Sequence, residues 1–309
     1  IFTPQHFRIL MKLLIAGSSV EDMIHTNGTV LNQPGGMFYV ASAVDALREE
    51  NDEIFMLTNL SQKQRHLYFP LYERFNSSLV NTVEQLPVNH LFIHEKGERE
   101  EKYEHLTEKI KFEPSALENL NLDGVLINLI TGFDFTPTDI KRIKAITNAP
   151  VFLDIHSRTR SFSEEGKREF ALIDDINEWS STVDILQANE NEILYCGSGN
   201  EEKSIVENIL NLGVKFVLVT KGDAGVRMYF IRNGETNSLF VKALQVETVN
   251  KVGCGDVFGA TFFINWLRTN DPVNALYAGN AAGAVISTYK STKQIENLKK
   301  DVDSLLYEK

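Results

Sequence analysis

The segment Gly253-Cys254-Gly255-Asp256-Val257-Phe258-Gly259-Ala260 concentrates the residue types that anion chemistry needs. Two glycines one residue apart let backbone approach a bound group closely and adopt positive φ. They directly precede an apolar helical face of Val257, Phe258, Thr261 and Phe262. The amides of Gly253, Cys254 and Gly255 are therefore expected at a helix N-terminus, aimed at an anion. Such a nest suits the charge spread over a phosphoryl group in transfer. Asp256, in the first helical turn, would be kept ionised by the helix dipole and could accept a proton from a hydroxyl. A Gly-x-Gly before a helix is by itself an ordinary turn, so the case rests on what surrounds it.

Positioning those amides requires strands that deliver the chain to helix starts. Lys12–Ala16, Glu53–Thr58, Gly124–Ile130, Val151–Ile155, Asp184–Gln187 and Val214–Thr220 are strand-length apolar runs. Helical spacing falls over Met37–Arg48, Thr138–Thr147, Glu165–Asn177, Glu190–Cys196 and Glu201–Leu212. This alternation predicts an α/β fold of βαβ units on a mostly parallel sheet. Hairpin-like strands are expected around Val226–Ile231 and Leu239–Val246, then helices over Gly255–Arg268, Pro272–Thr288 and Thr292–Tyr307. Asp271-Pro272 supplies a helix cap and a first-turn proline. Pro34-Gly35-Gly36 reads as a turn. The short β-prone stretch Thr26–Leu31 and a hairpin within His90–Phe112, with its charged turn Glu95–Lys102, break the alternation. They predict a small β-lid, formed by about 24–34 and 89–113, beside the main sheet.

The chain has 309 residues, 31 basic and 42 acidic, for a formal charge of -11. A net acidic chain without a basic face argues against nucleic acid and against anionic membrane surfaces as partners. No apolar run reaches the roughly 20 residues of a membrane-spanning helix, and no signal peptide is evident. Cys196 and Cys254 offer neither a disulfide framework nor a metal-spacing pair, which suits a reducing, cytoplasmic setting. Ile1–Leu10 reads as an upstream extension, with Met11 as the expected start of the fold.

The order of the motifs resembles the PfkB (ribokinase-like) family of carbohydrate and nucleoside kinases. Gly253-Cys254-Gly255-Asp256, with Phe258 and Gly259, is similar to that family's Gly-Ala-Gly-Asp signature. The resemblance implies a ribokinase-like three-layer α/β/α domain over residues 11–309, carrying a β-lid. It implies Asp256 as catalytic base and the Gly253, Cys254 and Gly255 amides as an anion hole. Asn189 and Glu192 resemble the Asn-x-x-Glu motif, whose implied role is to organise Mg²⁺ and phosphates through water. Thr220, Lys221, Gly222 and Gly225 resemble Thr-Lys-Gly-x-x-Gly, implied to lie by the phosphates and ribose of ATP. Asn280 and Ala284 fall in a small-residue helix implied to pass the adenine. Asp22 and the Gly35-Gly36 pair are implied to bind substrate, Asp22 by accepting hydroxyl hydrogens. Taken one at a time, these motifs also fit a solvated helix start, a glycine turn or close helix packing.

The chain departs from the family pattern at three places. Met37-Phe38-Tyr39-Val40-Ala41 has no amide where sugar-binding members carry asparagine. Asp154-Ile155-His156-Ser157-Arg158 stands for Asp-Pro-Asn-x-Arg, keeping Arg158 as the implied substrate contact but not the Asn. Asn250-Lys251-Val252 replaces Asp-Thr-Thr, which weakens the case for a monovalent cation. Lys251 reads as an exposed lysine and Cys254 as a small residue whose amide matters. His25, His94 and His156 are lower-ranked pocket candidates.

The expected activity is ATP-dependent phosphorylation of a hydroxymethyl group on a small sugar or sugar-like substrate. A nucleoside kinase of the same family is the alternative, with Phe38-Tyr39 permitting a flat ring. A catalytically silent ligand sensor on the same fold is a further one. A nucleotide-cofactor oxidoreductase would want a glycine fingerprint where the chain reads Gly17-Ser18-Ser19. An exposed lid edge would allow a homodimer.

Overall fold

The computed structural model describes residues 10–26, 28–92, 100–106, 109–163, 167–199 and 201–307. Residues 95–99 of the expected charged turn Glu95–Lys102, His94 and most of the first ten residues lie outside this set, while Glu100–Lys102 of that turn instead belong to a strand, Glu100–Glu104.

Eight strands form the central sheet: β1 (Lys12–Ala16), β4 (Glu53–Leu57), β9 (Gly124–Asn128), β10 (Val151–Asp154), β13 (Ile185–Asn189), β14 (Phe216–Thr220), β15 (Gly225–Arg232) and β16 (Glu235–Lys242). Their spatial order is β16-β15-β14-β13-β10-β9-β1-β4. The first six in chain order pair in parallel, while β15 and β16 add an antiparallel hairpin at one edge. The parallel strands are rich in Val, Ile and Leu and almost continuously buried, because helices cover both faces.

On one face α1 (Met37–Leu47), α6 (Cys254–Thr269), α7 (Pro272–Ser287) and α8 (Leu298–Tyr307) bury a core that includes Phe262 and Phe263, both fully buried. Burial of side chains this large contributes about 1.5–3 kcal/mol each. On the other face α3 (Pro137–Thr147), α4 (Ile176–Ser180) and α5 (Glu202–Asn211) pack with Trp179, Ile140 and Ile209. Helix starts are chemically explicit. Thr136 and Asp139 close a capping box on α3, and Asp271 accepts from the Val273 and Asn274 amides at the start of α7. No helix among the described residues is long and apolar enough to cross a membrane.

A second sheet of four strands, in the order β3-β2-β7-β8, stands beside the first: β2 (Ser19–Thr26), β3 (Thr29–Gly36), β7 (Val88–Phe92) and β8 (Glu100–Glu104). The connection through it also carries the short pair β5 (Asn59–Ser61) and β6 (Asn81–Val83) and the single turn α2 (Arg65–Tyr68). Pro34, Gly35 and Gly36 close strand β3 rather than forming a separate turn, and α1 starts at the next residue.

Two helical expectations are corrected. Over the described part of the stretch Glu165–Asn177, residues 167–177, the chain instead forms β12 (Arg168–Phe170), paired antiparallel with β11 (Arg160–Phe162), before helix α4 starts at Ile176. Arg168 explains this locally: it donates to the carbonyls of Ser157 and Thr131 and stacks on Phe162, contacts that a helix would break. Residues 190–196 form a single 3₁₀ turn, Glu192–Tyr195. The terminal pairing at β16 ends at Lys242, earlier than the apolar run to Val246 predicts.

Candidate active site

The parallel strands end at one rim, where an open α/β sheet presents its loops to a ligand. Asn128 closes β9, Asp154 closes β10, Asn189 closes β13 and Thr220 closes β14. Helix α6 begins over this rim. Its cap, Gly253, has φ +81°, and a Cβ there would run into the Tyr39 ring. Glycine is thus required both by backbone conformation and by the close approach of α1. Gly255 differs: a Cβ there would meet nothing of the protein nearer than 3.7 Å. The fold leaves that space toward the cleft.

The start of α6 lies between two cavities. Cys254 and Gly255, with Lys251, line a cleft of about 740 Å³ bounded also by Thr220, Gly222, Gly225, Asn280 and Ala284. Val226, Leu244 and Phe258 give part of this cleft an apolar wall. Gly253 and Asp256 line a pocket of about 50 Å³ with Asp22 and Gly36. One turn of chain therefore faces both spaces.

Asp256 is oriented by Asn128, whose Nδ2 donates to Asp256 Oδ1 at 2.5 Å. Asp22 is 4% exposed, and the chain passes so near it that a Cβ on Gly35 would overlap its carboxylate. Register explains how the lid contributes. Asp22 pairs with Asn89 across β2 and β7, and Asn89 with Tyr103 across β7 and β8. One row further, Leu91 faces Glu101. Because side chains alternate along a strand, these residues share one face of the lid, and that face lines the small pocket. His156 joins them from the end of β10, with φ +26° and its Nδ1 2.7 Å from Ser157 Oγ. A non-glycine residue held in this region marks backbone constrained by its surroundings.

Asn189 and Glu192 hold each other. Asn189 Oδ1 accepts from the Asn191 and Glu192 amides, and Glu192 Oε2 accepts from the Asn189 amide. Glu192 is 2% exposed. Burial, and then the neighbouring Glu192 and Asp256 carboxylates, push the Asp154 carboxyl well above the usual range. Among the described residues no group of three or more His, Cys, Asp or Glu has the geometry of a direct metal site.

Not every expected residue comes to the cavities. Arg158 is ion-paired with Asp175 at 2.8 Å and does not line the small pocket. Lys221 pairs with Glu202 at 2.5 Å rather than lining the cleft. Asn280 lines it while donating to the Lys242 carbonyl. Lys251 is held by Asp223 at 2.9 Å at the cleft wall. His25 stacks with His90 and Phe92 on the lid. The residues that sequence reasoning missed are Asn89, Glu101, Tyr103 and Asn128. Their signal is the alternation within two strands and the polar end of β9, legible only once the register is known.

Residues 162–298 match the model of the pfkB family carbohydrate kinases. No curated protein matches the chain. Among solved structures, Arabidopsis thaliana ribokinase complexed with ribose and ATP is similar over 97% of this chain and 100% of its own, with TM-score 0.74 and 17% identity. A pyrophosphate-dependent kinase in the ribokinase family matches with TM-score 0.74, 16% identity and coverage of 94% and 99%. Thermotoga maritima ribokinase matches with TM-score 0.70, 20% identity and coverage of 96% and 99%. The chain thus has the ribokinase-like fold throughout, and its residues 162–298 match the pfkB carbohydrate kinase model.

Proposed function

We propose that this protein is an ATP-dependent kinase that phosphorylates a hydroxymethyl group of a small sugar-like substrate. The observation that carries the reading is the placement of residues 253–256. Cys254 and Gly255 face the large cleft, while Gly253 and Asp256 face the small pocket that also contains Asp22. A donor in one space and an acceptor in the other would meet at this helix start.

Asp22 accepts hydrogen bonds from substrate hydroxyls and orients the acceptor. Asp256, held by Asn128, takes the proton of the attacking hydroxyl as its oxygen bonds to phosphorus. The amides of Gly253, Cys254 and Gly255 stabilise charge on the transferred phosphoryl oxygens, and the leaving oxygen departs on ADP. Mg²⁺, when bound, would neutralise phosphate charge, with Asn189 and Glu192 holding its waters. The apolar wall of Val226, Leu244 and Phe258 suits a nucleobase and favours ATP over bare pyrophosphate as donor. The lid face closes the acceptor pocket against water, which limits ATP hydrolysis.

The test is ADP release from MgATP across pentoses, hexoses, cyclitols and nucleosides. The reading requires release that depends on an acceptor of the sugar type. ATP binding with no acceptor-dependent release from any of them would instead favour a ligand sensor.

A further inference from the structure

We infer that the acceptor pocket selects an uncharged polyol, or one carrying an amino group, and rejects phosphorylated sugars, with Asn89 and Glu101 of the lid as the specificity-determining residues. The inference rests on the kinase reading for the pocket's role, but its physical content is independent of turnover.

The polar inventory of the pocket is one-sided. Asp22, Glu101 and Asp256 contribute carboxylates, and among the described residues no lysine or arginine lines it. Asn89 supplies the decisive observation. It is 5% exposed, and its Nδ2 lies 3.4 Å from Asp22 Oδ1. A carboxylate can only accept, so this contact fixes the amide with its nitrogen toward Asp22. Asn89 Oδ1 is then left buried without a hydrogen-bond partner. An orphaned buried acceptor costs free energy in the empty protein, which a donor on the ligand would recover.

Glu101 is likewise 5% exposed and sits diagonally from Asn89 on the same lid face. Arg168, stacked behind the Tyr103 ring at 5.5 Å, directs its guanidinium hydrogens to the Ser157 and Thr131 carbonyls. It does not line the pocket, although its charge also reaches Glu101 from behind the lid. A ligand rich in hydroxyl or ammonium donors therefore meets complementary acceptors, whereas a phosphate would be desolvated against like charge. Neither lid residue belongs to a sequence motif of the site; both reach it through strand alternation.

Isothermal calorimetry on the full chain, without nucleotide, tests this separately from catalysis. The probes are ribose, fructose, myo-inositol and glucosamine, each against its phosphorylated counterpart. We expect binding of at least one unphosphorylated probe, and affinity at least about 100-fold weaker for its phosphate. Asn89→Leu should weaken that binding about tenfold while leaving Tm unchanged or higher, because the orphaned acceptor is gone. Glu101→Gln should likewise weaken that binding about tenfold, and binding unchanged in both variants would overturn their assignment. Comparable or tighter binding of a phosphorylated probe, or binding of no unphosphorylated probe, overturns the inference. Binding with the expected selectivity but no phosphoryl transfer would leave it standing and count against the kinase reading alone.

Discussion

Asn128 Nδ2 donates to Asp256 Oδ1 at 2.5 Å, joining the end of strand β9 to the first turn of helix α6 across 128 residues of chain. The bond holds the carboxylate that lines the small pocket from the helix N-terminus. The proposed base is thus held from the central sheet.

Replacing that donor by a carboxylate probes the arrangement. In Asn128→Asp a like charge would stand beside Asp256 and raise its proton affinity. We expect kcat to fall about 10–100-fold, with the acidic limb of the kcat–pH profile displaced to higher pH. A lower kcat with an undisplaced profile would mean that Asn128 acts only in packing.

The approach of Gly35 to Asp22 predicts a substrate-binding defect. A Cβ at residue 35 overlaps the Asp22 carboxylate, so Gly35→Ala must displace one or the other. The expected result is a rise in KM of about tenfold or more and a stability loss of about 1–3 kcal/mol from overpacking. Steady-state kinetics and urea unfolding read the two effects, and wild-type KM would contradict the placement of Asp22.

Two neighbouring glycines should respond with opposite signs in stability. Gly253→Ala meets Tyr39 and a positive φ, so it should destabilise the fold by more than about 1 kcal/mol. Gly255→Ala has room within the protein and a helical position, so it should stabilise by up to about 1 kcal/mol while weakening MgATP binding. Thermal unfolding with and without nucleotide distinguishes them.

Asp184 gives the fold a defined pH response away from the site. Burial alone would raise its pKa, but the Val151 amide and the ammonium groups of Lys144 and Lys215 outweigh burial and hold it below the usual range. A carboxylate with a depressed folded pKa stabilises above its unfolded pKa, and that stability is lost as pH falls through the folded value. Asp184→Asn should therefore cost about 1–2 kcal/mol at pH 7, discounted for solvent screening, and progressively less on acidification below the carboxylate range. A cost independent of pH would contradict the charge-based account.

Much of the central sheet was legible because parallel strands buried on both faces leave long apolar runs, as in Val151–Asp154 and Phe216–Thr220. Helix α7 was legible from Asp271-Pro272. The stretch 165–177 misled because Arg168–Phe170 within it is held extended by the tertiary contacts of Arg168. At the site, the glycine and aspartate motifs announced the helix start and Asp22. Asn89 and Glu101 could not be read this way, since their shared face depends on the β2-β7-β8 register. Arg158 matched a motif in type, yet Asp175 holds it at 2.8 Å.

The most direct test of the central claim is acceptor-dependent phosphoryl transfer from MgATP by the wild-type chain and Asp256→Asn, with the phosphorylated product identified by mass spectrometry. The account predicts a phosphorylated sugar-like product from the wild type. It also predicts a fall in kcat of about 10²–10⁴-fold in the variant, with ATP affinity nearly unchanged. Wild-type turnover by Asp256→Asn would contradict the assignment of the base and the mechanism built on it.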